Sequence, residues 1–357
     1  MNKKKKKLRP ADIVMIALAV FMPFLPLVDH NGGHITVLVN AGVYMMLAIG
    51  LNIVVGFAGL LDLGYAAFFA IGSYTYAMVA SPQFGLHFSF WPMIFVSAAV
   101  AALFGIILGA PTLRLRGDYL AIVTLGFGEI VPQTFLNLQK ITGGPNGISA
   151  IDQPKIFGYH FGLNPVPYYY LVLVLVALSL VFANNLRTSR LGRAWMAIRE
   201  DEIAAAHMGV NTTTAKLAAF SLGASFSGLS GVVNASLLTL VSPDQFKFNV
   251  SITVLSMLVL GGMGSLPGVV LGSALLSLLN FFILPQAGNL VAMVGLHVDF
   301  TQYRFMLYGI ILVCIMLFKP EGLWGAEQRK AELKEHDDKA VIAAENAEYE
   351  DMPRESM

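Results

Sequence analysis

Apolar residues in this chain come in long, uninterrupted runs, and few solvents accept a run of that kind. About 20 consecutive apolar residues match the hydrocarbon thickness of a bilayer when wound as a helix. Lipid offers nothing to a free backbone N–H or C=O, so a spanning segment must be a helix or part of a closed barrel. Barrel strands alternate in period two; these runs do not, and helices are therefore expected. Composition agrees: 56% of the 357 residues are hydrophobic and 13% charged, against roughly 25% charged in soluble domains. The expectation is an all-α polytopic membrane protein.

Ten apolar segments are predicted, at about 11–29, 35–55, 63–80, 90–110, 118–138, 168–184, 214–241, 250–263, 266–284 and 304–318. The eighth is too short for a straight span, which suggests a broken helix or a re-entrant pair. Lys3 to Lys7 and Arg9 resemble the start of a signal peptide, but no small-x-small cleavage site follows and Pro23 and Pro26 interrupt the run. The first span is therefore read as uncleaved. Residues 1–10 form a basic cytoplasmic N-terminus and 11–318 a transmembrane unit with a loop at 185–214. With the N-terminus inside, nineteen Lys and Arg fall on the cytoplasmic side and four (Lys140, Lys155, Lys247, Arg304) outside. The positive-inside rule thus puts both termini in the cytoplasm of a bacterial inner-membrane protein. Residues 319–357 hold eleven of the twenty-two acidic residues and read as a solvated charged tail. Cys314, the single cysteine, excludes a disulfide framework and is read as packing. Tyr168, Tyr169, Tyr170 and Trp324 are placed in the headgroup layers as anchors.

Small residues recur within the spans. Gly105 and Gly109, and the series Gly264, Gly268 and Gly272, fall four apart and would let helix backbones approach closely. Residues 51–74 (Gly56, Gly59, Gly64, Gly72) and 254–279 (Gly261, Gly262, Gly264, Gly268) each read as a span, a glycine-rich break and another span. Matching breaks in the two halves suggest an inverted repeat of glycine-broken helices with the pathway at its interface.

No residues assemble into a catalytic pattern, so an enzyme is not expected. The seven histidines are scattered, and Gly32-Gly33 between His30 and His34 argues against a helical ligand pair. A phosphate loop of the Gly-x4-Gly-Lys-Ser/Thr kind is lacking, so this chain is expected to bind no ATP by that device and to carry no cofactor. Nothing points to nucleic acid. The informative polar stretch is the central loop, where Arg199 precedes Glu200, Asp201 and Glu202. An alanine body (Ala204, Ala205, Ala206) follows, and Gly209 then Asn211 are read as its end. The acids suit the positive end of a helix dipole and the glycine suits its stop. Such a short helix is suited to a partner's cleft. Inside the fifth span, Glu129 costs several kcal/mol unless paired or facing water, which makes it a functional candidate together with Gln133. Pro132 would free a carbonyl nearby. Asp62 beside the first break is read as interfacial, and Asn52 lies just ahead of it.

Glu202-x-Ala204-Ala205-x-x-x-Gly209 resembles the Glu-Ala-Ala coupling loop of ABC importer permeases. Four further stretches widen the match: Gly50 through Gly72, Leu113 through Gly126, Thr142 through Gly147, and Phe318 through Gly325. Together, over residues 35–325, they resemble the permeases of branched-chain amino acid ABC transporters of the LivM type. The resemblance implies a complex with a second, LivH-like permease, two ATPase subunits that bind the ATP, and a periplasmic substrate-binding protein. It also implies a translocation path for leucine, isoleucine and valine, with Asn52, Asp62, Glu129 and Gln133 as candidates to line it. Urea, short amides or another small solute remain alternative cargoes, and a secondary transporter the alternative class. On this reading, changing Glu202 and Ala205 abolishes transport without reducing membrane insertion, as parallel uptake and membrane-fractionation assays would show; surviving uptake would refute the coupling assignment.

Overall fold

The computed structural model describes residues 33–112, 117–156, 158–162, 164–287 and 300–325. The predicted first span, Arg114, Arg116 and most of the charged tail lie outside the described residues. The fold is helical: α1 Gly33–Leu51 continues as a π-helical turn, Asn52–Phe57; α2 is Tyr65–Ala80, α3 Phe90–Thr112, α4 Asp118–Asn137 and α5 Pro165–Thr188. Two short helices follow, α6 Arg190–Glu200 and α7 Glu202–His207, then α8 Thr212–Leu238, α9 Phe248–Gly261, α10 Leu266–Leu278 and α11 Arg304–Phe318.

Among the described residues six helices are long and apolar enough to cross a membrane: Gly33–Phe57, α3, α4, α5, α8 and Leu266–Ala287. α2 and α11 are shorter apolar helices, and α9 has 14 residues, ending where the short eighth segment was expected to break. The exposed side chains of α3, α5 and α11 are themselves large and apolar (Phe95, Leu178, Val181, Ile310, Val313), the surface that a lipid solvent requires. Cys314 is among the exposed positions, so its expected packing role does not hold within this chain.

α1 and α8 form the centre. Their most apolar windows are 67% and 61% buried, against 33–39% for the other four long helices. Close approach explains how α8 reaches the middle. Gly223 packs against Val54 and Gly50, Gly228 against the backbone of α3, and Gly231 against Phe69 and Ser73. The predicted pair Gly105 and Gly109 does lie on one face, against Ala224, Phe220 and Leu217 of α8. Of the second series only Gly268 and Gly272 share a helix, against Gly261 and Met257; Gly264 sits in the break with φ +83°. Hydroxyls tie the helices where lipid provides no drive. Tyr65 Oη donates to the carbonyl of Gly223 at 2.8 Å and Tyr168 Oη to that of Ser236 at 2.9 Å. Tyr168 is therefore an interior tie and not a headgroup anchor, whereas Trp324 is exposed.

The connections sort to opposite ends of the bundle. At one end lie the segments after α2, after α4 and after α8. There β1 Ile148–Ser149 pairs with β4 Leu240–Val241, while β2 Lys155–Ile156 pairs with β3 Tyr159–His160. Asp152 N donates to the carbonyl of Ala80, and the Asp152 carboxylate meets His87 Nδ1 at 2.6 Å. At the other end lie residues 58–64, α6 and α7, the segment between α9 and α10, and residues 319–325.

A Cβ at Gly72 would collide with the backbone of Gly228, whereas one at Gly126 meets nothing within 4 Å. Gly72→Leu is expected to cost about 1–3 kcal/mol through overpacking, seen as a lower thermal midpoint in detergent, and Gly126→Ala to leave the midpoint unchanged.

Candidate functional site

The two glycine breaks meet each other. α1 loosens into its π-helical turn at Asn52, and Ala58 to Gly64 run without helical structure until α2 begins. π-helical turns widen a helix by one residue and recur at functional sites. Asn52 is fully buried, and its Oδ1 accepts a hydrogen bond from the N–H of Gly264 at 2.9 Å. A Cβ at Gly56 would strike Asn52 and lie 2.7 Å from Gly264 N, so contact between the breaks requires glycine there. The second break, Gly262 (φ +112°) to Ser265, is closed by the C-terminal strap. Leu323 N donates to the carbonyl of Leu260 at 2.9 Å and Trp324 N to that of Gly261 at 3.0 Å. The strap thus satisfies carbonyls that the end of α9 leaves open.

Asp62 belongs to the first break and is buried there, 1% exposed. Its Oδ1 accepts from Gly64 N at 2.9 Å, and next to it Leu63 N donates to Thr124 Oγ1 at 3.0 Å. Burial pushes this carboxyl, in the connection between α1 and α2, up to about 7, with the Gly64 hydrogen bond pulling the other way. Asn52 Nδ2 and Asp62 Oδ2 have no hydrogen-bond partner among the described residues.

The central loop folds as two helices, and the expected single stretch divides at Asp201. Glu200 closes α6. Asp201 caps α7, its Oδ1 accepting from Ile203 N at 2.8 Å and Ala204 N at 3.0 Å. Gly209 (φ +83°) ends α7, but Asn211 belongs to the next element: it caps α8 by accepting from Thr214 N. α7 turns Ala205 inward (4% exposed) and leaves Ile203, Ala204, Ala206, His207 and Met208 on its outer side.

Three ties hold this loop to the bundle. Trp195, fully buried, donates from Nε1 to the carbonyl of Ala215 at 2.6 Å. Glu202 pairs with Lys216, whose side chain is 4% exposed near the start of α8. Arg199 reaches from α6 to the π-helical turn, donating from Nη1 to the carbonyl of Gly56 at 2.7 Å, with Gly59 seated against its stem. A cavity of about 270 Å³ between these parts is lined by Gly59, Arg199, Asp201, Glu202 and Lys216 among others.

Glu129 and Gln133 are elsewhere. They are exposed side by side on α4, which runs unbroken through Pro132, and they line a cleft of about 330 Å³. Its opposite wall is Pro243, Asp244, Lys247, Phe248 and Asn249 at the start of α9. Lys247 Nζ and Asp244 Oδ1 are 2.8 Å apart. The hydrogen bond and charge of Asp244 raise the Lys247 pKa, with desolvation pulling the other way and the charge of Glu129 adding least.

The four path candidates therefore split: Asn52 and Asp62 lie in the first break, Glu129 and Gln133 at the cleft. Arg199, placed by sequence in the central loop, makes an internal contact with Gly56. Lys216, one lysine among the residues opening α8, was not singled out in the sequence, and its pairing with Glu202 emerges only in the structure. The cleft's second wall carried no signal, because Lys247 lies 118 positions after Glu129.

A family model described as branched-chain amino acid transport system / permease component matches residues 33–316. The high-affinity branched-chain amino acid transport system permease protein LivM of Escherichia coli is 41% identical over 344 residues, covering 90% of this chain and 76% of its own. LivM of Salmonella typhimurium is 40% identical over the same shares. LivH of Salmonella typhimurium is 24% identical over 307 residues, covering 79% and 91%. No solved structure matches the chain. With most of the chain matched at this identity, it belongs to the family of branched-chain amino acid transport permeases, and its sequence is of the LivM type.

Proposed function

We propose that this chain is one of two permease subunits of an ABC importer in the bacterial inner membrane, passing leucine, isoleucine and valine inward. Ten spans are assigned, counting 11–29 and the short helices α2, α9 and α11, with both termini cytoplasmic. The end of the bundle carrying α6 and α7 then faces the cytoplasm, and the end carrying the β1–β4 pair faces a periplasmic binding protein. A LivH-like permease completes the path, and two ATPase subunits bind the ATP; this chain binds no cofactor.

The observation that carries this reading is the way α7 is mounted. It offers a short row of exposed residues (Ile203, Ala204, Ala206, His207, Met208) while Glu202 and Arg199 tie its flank to the spans. A lever needs both properties: a face for the motor to push and stiff links to what must move. When the ATPases close, α7 carries the displacement along two routes, through Lys216 into α8 and through Gly56 into the first break. Because Asn52 holds Gly264, the first break cannot shift without the second. Coupling of this kind needs an element with two arrangements, and glycine breaks have few side chains to hold them in one. Glu129 and Gln133 sit on the α4 face that lipid would penalise, so that face is assigned to the path and the second permease.

A mild-detergent pulldown of the tagged chain, read by mass spectrometry, should bring two ATPases and a second permease; a stable, monodisperse preparation without them would refute the importer reading. Arg199→Ala removes a charge-assisted hydrogen bond of about 1.5–3 kcal/mol. It should lower ATP-driven leucine uptake in proteoliposomes about tenfold, with subunit assembly and basal ATP hydrolysis within about twofold of wild type and partial rescue by Arg199→Lys.

A further inference from the structure

We propose that the cleft between α4 and the start of α9 is an entry site that recognises the α-amino acid backbone of the cargo, both its ammonium and its carboxylate. The inference rests on the reading of this face as a wall of the path. Glu129, Gln133 and Leu136 recur at helical spacing and present one face of α4, with Pro132 beside them, to a wall of Pro243, Asp244, Lys247, Phe248 and Asn249.

The charges select the ligand class. The cleft holds two carboxylates and one ammonium, for a formal charge of −1. A simple anion is disfavoured there, and a fully apolar ligand would strip water from three ionised groups without return. A metal ion is also a poor fit. No group of three His, Cys, Asp or Glu able to hold one occurs among the described residues. A zwitterion matches. Its ammonium takes Glu129, whose side chain is exposed on the membrane-spanning face, and its carboxylate takes Lys247, which already holds Asp244 at 2.8 Å. Gln133 and Asn249 add amide donors and acceptors, and Pro132, Leu136 and Phe248 give an apolar shoulder for a branched side chain. A volume of about 330 Å³ is at the small end for ligand sites, which suits one amino acid. The cleft lies at the end of the bundle that carries the β1–β4 pair, where α9 starts and α8 ends, so cargo meets it before the glycine breaks.

The test uses the assembled complex with its binding protein in proteoliposomes, hydrolysing ATP, and photo-leucine, the diazirine analogue of leucine. Illumination followed by peptide mapping should place label on this chain within 129–136 or 243–249. Leucine should compete it away, while 4-methylpentanoate (no ammonium) and 3-methylbutylamine (no carboxylate) should compete at least about tenfold more weakly. Glu129→Gln and Lys247→Gln should each reduce the competed label about tenfold, the loss of one charge-assisted hydrogen bond, with complex yield unchanged. Working uptake without competed label in those two segments would overturn the site and leave the importer reading standing. So would label that either analogue displaces as well as leucine does. A wild-type complex that takes up no leucine would instead overturn the importer reading, and this inference with it.

Discussion

The N–H of Gly264 is donated to the side chain of a residue 212 positions earlier, Asn52, and the reason lies in the solvent. A break buried within the bundle leaves backbone donors and acceptors out of reach of water, so the protein itself supplies the partners. Asn52 supplies one. Thr124 supplies another for Leu63, Asp62 a third for Gly64, and the strap of residues 322–324 closes the end of α9. Asp62 serves its own break, two residues away, while Asn52, Thr124 and the strap reach across from other elements. Meeting these needs also brings the two halves of the chain together, and glycine at 56 removes a side chain that would strike Asn52 and crowd Gly264.

The loop on the same end of the molecule is built on that junction. Arg199 could have been one more basic residue retained on the cytoplasmic side. Its guanidinium instead bonds the Gly56 carbonyl, within the widened turn that also contains Asn52. Lys216 is buried at the start of α8, where an unpaired ammonium would be costly, and Glu202 offsets that cost from α7. The ties make α6 and α7 extensions of the bundle and leave one face of α7 outward. By contrast, the cleft beside Glu129 sits at the other end of the molecule and shares no residue with this network. Under the proposed function, capture and drive lie at opposite ends of the bundle, as an importer powered from one side and loaded from the other requires.

Much was legible in the sequence because membrane folding writes itself in local terms. Run length sets helix length, which is why the bounds of α1, α3, α4, α5, α8 and α10 fall within a few residues of the apolar segments. Glycine spacing announced both breaks, and the acids, alanines and glycine from Glu200 to Asn211 announced a short helix, which the structure divides at Asp201. Errors came where a residue's role depends on what faces it. Asn211 resembled an end and is a beginning; Tyr168 resembled an anchor and points inward. Sequence by itself determined the solvent, the helices, the breaks and the family, since hydropathy and motif spacing are properties of neighbours along the chain. Only the tertiary structure decided that the breaks touch, that Arg199 turns inward and that Glu129 faces Lys247. Those pairings join segments far apart in sequence: the first two are chosen by the need of buried polar groups for a partner, and the third sets exposed groups across a cleft.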